Sequence, residues 1–268
     1  MRLSVSQRGR HLDYREKRVD VRGKTTRVLT GGAGPPLLYL HGAGGEVAWL
    51  PFFDALAEHF EVFVPAHPGF AGSEGLDQID SMEDLVLHYT DFMEILDIER
   101  PALIGLSLGG WLAAEFATRY CERIRALALI APVGIRPPVA DIFSASPSDT
   151  RALVFSKPES ELARQFIPDD PDPEAYVLYL KAREATARLG WNPYLHNRKL
   201  EGRLYRIHVP TLVLAAGEER LVPQAHCRLY EAGIDGAEFA EIAGAGHALP
   251  FERPAESAAI VTQFLSSK

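Results

Sequence analysis

A chain of 268 residues with 47% apolar and 24% charged side chains can bury a large core, either as one α/β domain with an insertion or as two small domains. A formal charge of −8 excludes a general nucleic-acid binder, which needs a basic face. The stretch from Arg2 to Arg18 is polar and basic, with no apolar core of signal-peptide length. The longest apolar run, Ala126 to Val133, is far too short to span a bilayer, so a cytoplasmic setting with no membrane partner is expected. Cys121 and Cys227 lie in no close-spaced metal or redox pair and read as buried free thiols.

Along residues 14–30 charged positions alternate with apolar or β-branched ones (Val19, Val21, Thr26, Val28), which predicts two strands joined by a turn at Arg22-Gly23-Lys24. After the loop from Gly31 to Pro36, Leu37-Leu38-Tyr39-Leu40 is a continuous apolar run, as in a strand buried on both faces of a parallel sheet. It leads into His41-Gly42-Ala43-Gly44-Gly45. A glycine-rich loop lets backbone amides approach an anion, and this one is neither a P-loop nor a dinucleotide fingerprint.

A helix at 51–59, a strand from Glu61 to Pro65 and a turn at His67-Pro68-Gly69-Phe70-Ala71-Gly72-Ser73 follow. Residues 82–97 place Leu85, Tyr89, Phe92, Met93 and Leu96 on one helical stripe. Next come a strand ending at Leu106, a helix over 108–120 and an apolar strand from Ala126 to Ile130. Alternating buried strands and amphipathic helices imply a mostly parallel sheet covered on both faces. The rhythm breaks over 134–200, where prolines cluster and a helix near 174–189 has no buried strand beside it. That segment reads as a helical insertion. Alternation resumes with a strand at Thr211 to Ala215, a helix at 223–233, a strand at about 237–242 and a helix at 254–266. The organisation is a core from residues 1–133, a helical cap over 134–200 and the rest of the core over 201–268.

The chemistry centres on Gly105-Leu106-Ser107-Leu108-Gly109, between the apolar strand and the helix. In a strand–turn–helix elbow the serine backbone is strained. Glycines two residues either side remove side chains that would collide, and the hydroxyl stands clear beside a helix N-terminus. A serine needs a base to take its proton. His247, in Ala243-Gly244-Ala245-Gly246-His247 after the last strand, has the best context of the nine histidines. His41 and His67 read as loop-orienting residues, and His11, His59, His88, His196, His208 and His226 as surface or cap residues. The base needs an acid. Gly217-Glu218-Glu219-Arg220-Leu221-Val222-Pro223 supplies Glu218 and Glu219, and Asp141 is a poorer option after the preceding strand.

In their order and spacing these residues resemble the α/β-hydrolase family over about residues 20–268. The resemblance rests on His41-Gly42-Ala43-Gly44, Pro68 to Ser73, Gly105 to Gly110, Leu221-Val222-Pro223 and Gly244-Ala245-Gly246-His247. It implies an eight-stranded, mostly parallel sheet with helices on both faces and a helical cap after the sixth strand. It also implies an oxyanion hole from the amides of Ala43 and Leu108. The family usually writes Gly-x-x-Asp-x-x-Val-Pro after the acid-bearing strand, whereas here the segment is one residue shorter and has no aspartate. Counting back from Pro223 puts Glu219 at the acid position, its extra methylene matching the shorter turn, and leaves Glu218 as the alternative. Ala66 replaces a frequent acidic residue, without catalytic consequence.

The resemblance implies a serine carboxylesterase acting on esters of small to medium apolar acyl groups through an acyl-enzyme, with no cofactor or metal, as a monomer or homodimer. Serine at the elbow disfavours dehalogenase and epoxide-hydrolase chemistry, which in similar proteins uses aspartate. The alternative is a carbon–carbon hydrolase on ring-cleavage dienoates, although such relatives often carry Gly-Pro-Gly in the first loop and asparagine before the nucleophile. This chain has Gly44-Gly45-Glu46 and Leu106. A lactonase or perhydrolase would use the same acyl-enzyme, and a non-catalytic ligand-binding protein is the remaining class. In the cap, Trp191, Tyr194, Phe143, Phe155 and Phe166 are candidate substrate-pocket residues.

Overall fold

The computed structural model describes residues 13–268 apart from Glu46 and Pro137, so His11 and most of the basic N-terminal stretch lie outside the described residues. The strands are β1 (Tyr14–Val21), β2 (Lys24–Gly31), β3 (Pro36–Leu40), β4 (Glu61–Pro65), β5 (Ala102–Leu106), β6 (Ala126–Ile130), β7 (Thr211–Ala216) and β8 (Glu238–Ile242). They form one eight-stranded sheet in the order β1-β2-β4-β3-β5-β6-β7-β8. The β1/β2 and β2/β4 pairings are antiparallel and the others parallel.

The period-2 geometry of the buried strands divides the core. Leu38, Leu40, Leu103, Leu127, Leu129 and Val213 face one side, where α2 (Met82–Ile95), α3 (Leu108–Tyr120) and α7 (Ala225–Gly233) pack. Leu37, Tyr39, Ile104, Ile130 and Leu214 face the other, against α1 (Pro51–Ala57) and α9 (Pro254–Ser266). A strand covered on both faces has no solvent side, which is why these segments read as unbroken apolar runs.

Between β6 and β7 lie α4 (Pro147–Val154), α5 (Glu161–Phe166) and α6 (Pro173–Gly190). Each starts on a side-chain cap: Ser146, Ser160 and Asp172 accept from Asp149 N–H, Ala163 N–H and Ala175 N–H. The short helix α8 (Leu249–Glu252) follows β8. The chain leaves β3 toward β4 on one side and leaves β5 toward β6 on the other. Their carboxyl ends therefore flank a switch point of the kind where open α/β sheets bind ligands. The glycine loop after β3 and Ser107 after β5 both stand there.

Two histidines depart from the sequence-based reading. His88 and His226 are buried, not surface residues. His88 lies on α2 beneath the β1–β2 hairpin, its Nε2 3.3 Å from Thr26 Oγ1. Cys227 is a buried free thiol, while Cys121 is half-buried. Among the described residues, no helix is long and apolar enough to cross a membrane.

Candidate active site

Ser107 is the single residue between β5 and α3, and it adopts φ 54° and ψ −110°. That conformation costs on the order of 1–3 kcal/mol for a residue with a Cβ and persists only where the surroundings enforce it. Here three backbone hydrogen bonds do so. Ser107 N–H donates to Ile130 O at 2.9 Å, and Ser107 O accepts from Trp111 N–H at 3.0 Å and Val133 N–H at 3.2 Å. The flanking glycines are required sterically. A Cβ at Gly105 would stand 2.1 Å from Gly109 O, and one at Gly109 would stand 2.1 Å from Leu40 O. The first turn of α3 is thus pressed against the ends of β3 and β5, with Ser107 at the apex and only 6% exposed.

The glycine loop lies over this serine. A Cβ at Gly42 would make ordinary contact with Ser107 Cβ, at 3.6 Å, and Gly45 N–H closes the loop onto Gly42 O at 3.2 Å. Among the described residues, no protein acceptor takes the Ala43 N–H or the Leu108 N–H. The latter opens α3, where an amide has no intrahelical partner and the helix dipole favours negative charge. Two free amides beside a serine hydroxyl are the donor set that a developing oxyanion needs.

The candidate acid and base stand at the ends of β7 and β8. Glu219 Oε2 lies 2.8 Å from His247 Nδ1, and both side chains are buried. The other carboxylate oxygen, Oε1, accepts from Leu221 N–H at 2.9 Å and Val222 N–H at 3.1 Å, so the short turn clamps the glutamate. Burial raises the Glu219 pKa. The His247 charge and hydrogen bond, with the two amides, outweigh that and hold it below the ordinary carboxylate value. Glu218 instead is half exposed and 3.6 Å from Arg220, and Asp141 is exposed and accepts from Phe143 N–H and Ser144. Neither reaches His247. The hydrogen bond between Ser107 and His247 is not closed in this structure: among the described residues neither Ser107 Oγ nor His247 Nε2 has a partner. Such catalytic bonds commonly tighten only when substrate arrives.

A second carboxylate holds the histidine loop. Glu252 Oε2 accepts from Gly246 N–H at 2.6 Å, and its Oε1 accepts from Ser156 N–H and Ser156 Oγ, both at 2.8 Å. Ala248 N–H also donates to Val154 O at 3.0 Å. The end of α4 therefore grips the loop that carries His247. Sequence reasoning missed Glu252. Its signal was a carboxylate five residues beyond the histidine, at the end of the short helix α8.

The five candidate pocket residues separate into two groups. Phe143, Trp191 and Tyr194 line an open cleft of about 470 Å³ with Val139, Asp141 and Ser144, and Trp191 is 64% exposed. Tyr194 fastens that wall by donating to Ala140 O at 2.9 Å and accepting from Ile142 N–H at 2.8 Å. Phe155 and Phe166 pack instead with Ala163 and Ala248, joining α4 and α5 to the histidine loop. Among the described residues, no group of three or more His, Cys, Asp or Glu side chains could hold a metal ion.

An eight-stranded sheet with a strained serine elbow, a free-amide loop beside it and an acid–histidine pair at the same edge defines a hydrolase of the α/β class. Comparison with known proteins agrees: residues 37–260 match the model of the α/β hydrolase family, and the chain belongs to that family. The dihydrolipoyllysine-residue acetyltransferase component of an acetoin cleaving system from Cupriavidus necator is 27% identical, covering 92% of this chain and 68% of that protein. A 2-hydroxymuconate semialdehyde hydrolase from Pseudomonas sp. strain CF600 is 26% identical, covering 91% of each chain. Among solved structures, a membrane phospholipase A superposes with a TM-score of 0.79 at 25% identity, covering 95% of this chain and 86% of that one.

Proposed function

We propose that this hydrolase cleaves a carbonyl substrate by nucleophilic attack from Ser107. His247 takes the Ser107 proton, and Glu219 holds the His247 tautomer and stabilises its cation. The amides of Ala43 and Leu108 receive the oxyanion. His247 then returns the proton to the leaving group, and a water activated by the same histidine frees the acid. The observation that carries this proposal is the 2.8 Å contact between His247 Nδ1 and Glu219 Oε2, at the sheet edge that also bears Ser107.

The leaving group decides the substrate class. Support for carbon–carbon cleavage comes from the Pseudomonas 2-hydroxymuconate semialdehyde hydrolase, whose likeness runs through the helical insertion as well as the core. In that chemistry the bond beside the attacked carbonyl breaks, its electron pair is held as an enolate, and His247 protonates the carbon. We place it first. Ester hydrolysis is the second candidate, favoured by Leu106, a core residue where dienoate hydrolases often carry asparagine, and by the likeness to a phospholipase. In that case His247 protonates an alkoxide.

The separating experiment measures two rates on the same preparation: absorbance decay of a ring-cleavage dienoate, and release of p-nitrophenol from esters of acetate to laurate. Carbon–carbon cleavage predicts dienoate turnover well above ester turnover, and an ester hydrolase the reverse. Ser107→Ala is expected to abolish either by several orders of magnitude. Wild-type activity in that variant contradicts the assignment.

A further inference from the structure

The oxyanion donor at Ala43 is a backbone amide, so its direction is set by whatever holds the preceding carbonyl. In a trans peptide the C=O of Gly42 and the N–H of Ala43 lie in one plane and point opposite ways. Anchoring Gly42 O therefore aims Ala43 N–H. Two groups hold that carbonyl: Gly45 N–H at 3.2 Å and, closer, the side chain of His41, whose Nδ1 lies 2.8 Å from Gly42 O. His41 is in turn held at two points by His67: His67 N–H donates to His41 Nε2 at 2.9 Å, and His67 Nε2 lies 3.0 Å from His41 O. The two imidazoles stack with centroids 3.7 Å apart. Behind them the Tyr89 hydroxyl of α2 meets His67 Nδ1 at 2.5 Å.

Proton bookkeeping leaves one arrangement. His41 Nε2 accepts, so its proton is on Nδ1 and is donated to Gly42 O. His67 Nε2 faces a carbonyl, so it carries the proton, and Nδ1 accepts from Tyr89 O–H. Each ring is neutral and each ring nitrogen has one partner. All three side chains are buried. Burial pushes His41 down to about 4; burial, and after it the nearness of the His41 ring, pushes His67 well below the ordinary imidazole value; burial pushes the Tyr89 hydroxyl up. Thr186 Oγ1 of α6 lies 3.4 Å from Ala43 O.

We infer that His67 and Tyr89 are positioning residues for the oxyanion hole, acting through His41 and the Gly42–Ala43 peptide. Neither touches substrate; together they aim one amide. The inference rests on Ala43 N–H being an oxyanion donor, as proposed above. An amide displaced by a fraction of an ångström stabilises a transition state poorly while substrate still binds, so the loss belongs in kcat rather than KM.

The test uses His67→Leu, His67→Gln and Tyr89→Phe, with active sites counted by end-point labelling of Ser107 with a fluorophosphonate. Failure to label wild-type protein would undo the proposed function itself, separately from this inference. Per labelled site, His67→Leu is expected to lower kcat on the order of tenfold to a hundredfold, with KM within about twofold. His67→Gln, whose amide can still donate to His41 O, is expected to recover most of that loss. Tyr89→Phe, which keeps the ring and removes only the hydroxyl, is expected to lower kcat by about threefold to tenfold, and it stands as the test if His67→Leu fails to fold. A merely structural role would reduce the number of labelled sites and leave kcat per site unchanged. That result in His67→Leu or Tyr89→Phe, or a glutamine variant no better than leucine, overturns the inference.

Discussion

The two loops that meet at the edge of this sheet are held in opposite ways. The histidine loop after β8 is fastened by carboxylates: Glu219 on the His247 ring and Glu252 on the Gly246 amide. The glycine loop after β3 is fastened by neutral groups, the His41 and His67 imidazoles and the Tyr89 hydroxyl. Under the proposed mechanism the difference matches the charge that each side would meet. Acyl transfer puts a positive charge on the base and a negative one on the attacked oxygen. A carboxylate beside the imidazolium stabilises it, whereas one beneath the oxyanion loop would oppose the charge forming there.

The largest effect is expected from Glu219→Gln, which keeps the shape and removes the charge. It should lower kcat by about 10³–10⁴-fold, as amide replacement does in serine triads generally. Glu219→Asp tests the reach needed across the short turn. One methylene less opens the 2.8 Å contact, with an expected loss of about 10–100-fold in kcat and little change in KM. A glutamine at 219 with wild-type kcat would remove the acid from the mechanism.

Glu252→Gln keeps an acceptor but loses the charge that binds Gly246 N–H and Ser156. A loss of about 1–3 kcal/mol of stability is expected, with kcat down about tenfold, read from urea denaturation and initial rates. An unchanged denaturation midpoint would show that α4 does not hold the histidine loop through this residue.

The neutral side makes its own prediction with acid. In the unfolded chain each imidazole takes up a proton below about pH 6.5. In the folded chain His41 waits until about 4 and His88 until about 3, both chiefly because burial disfavours the cation. Their stabilisation is complete above pH 6.5 and is lost as pH falls from there toward 4, by up to about 1.4 kcal/mol per pH unit for each histidine. Glu219, held below the ordinary carboxylate value, loses its share only at lower pH still. Denaturation midpoints measured from pH 7.5 to 4.5 should fall throughout the lower part of that range. A flat profile between 6.5 and 5 would mean that these histidines are not buried and neutral.

Much of this was legible in the sequence because it is local. Unbroken apolar runs marked strands covered on both faces, and the elbow glycines marked a turn where a Cβ has no room. Counting back from Pro223 singled out Glu219, the glutamate that lies against His247. What was not legible depends on partners far apart in the chain. Tyr89 reads as one more member of an apolar helical stripe, because its hydroxyl partner is 22 residues away. His88 reads as a surface residue, because Thr26 and the β1–β2 hairpin that bury it lie 62 residues earlier. Phe143 and Phe155 look alike in sequence. Only the insertion's packing sends one to the open cleft and the other beneath the histidine loop.

Peptide mapping by mass spectrometry, after exposure of the folded protein to a fluorophosphonate, reads out the nucleophile itself. A phosphonyl adduct is expected on Ser107 alone. It should be absent in Ser107→Ala and form far more slowly in Glu219→Gln, because the attacking hydroxyl depends on the His247–Glu219 pair. Folded protein that takes no adduct, or takes it at another residue, would contradict Ser107 as the activated nucleophile.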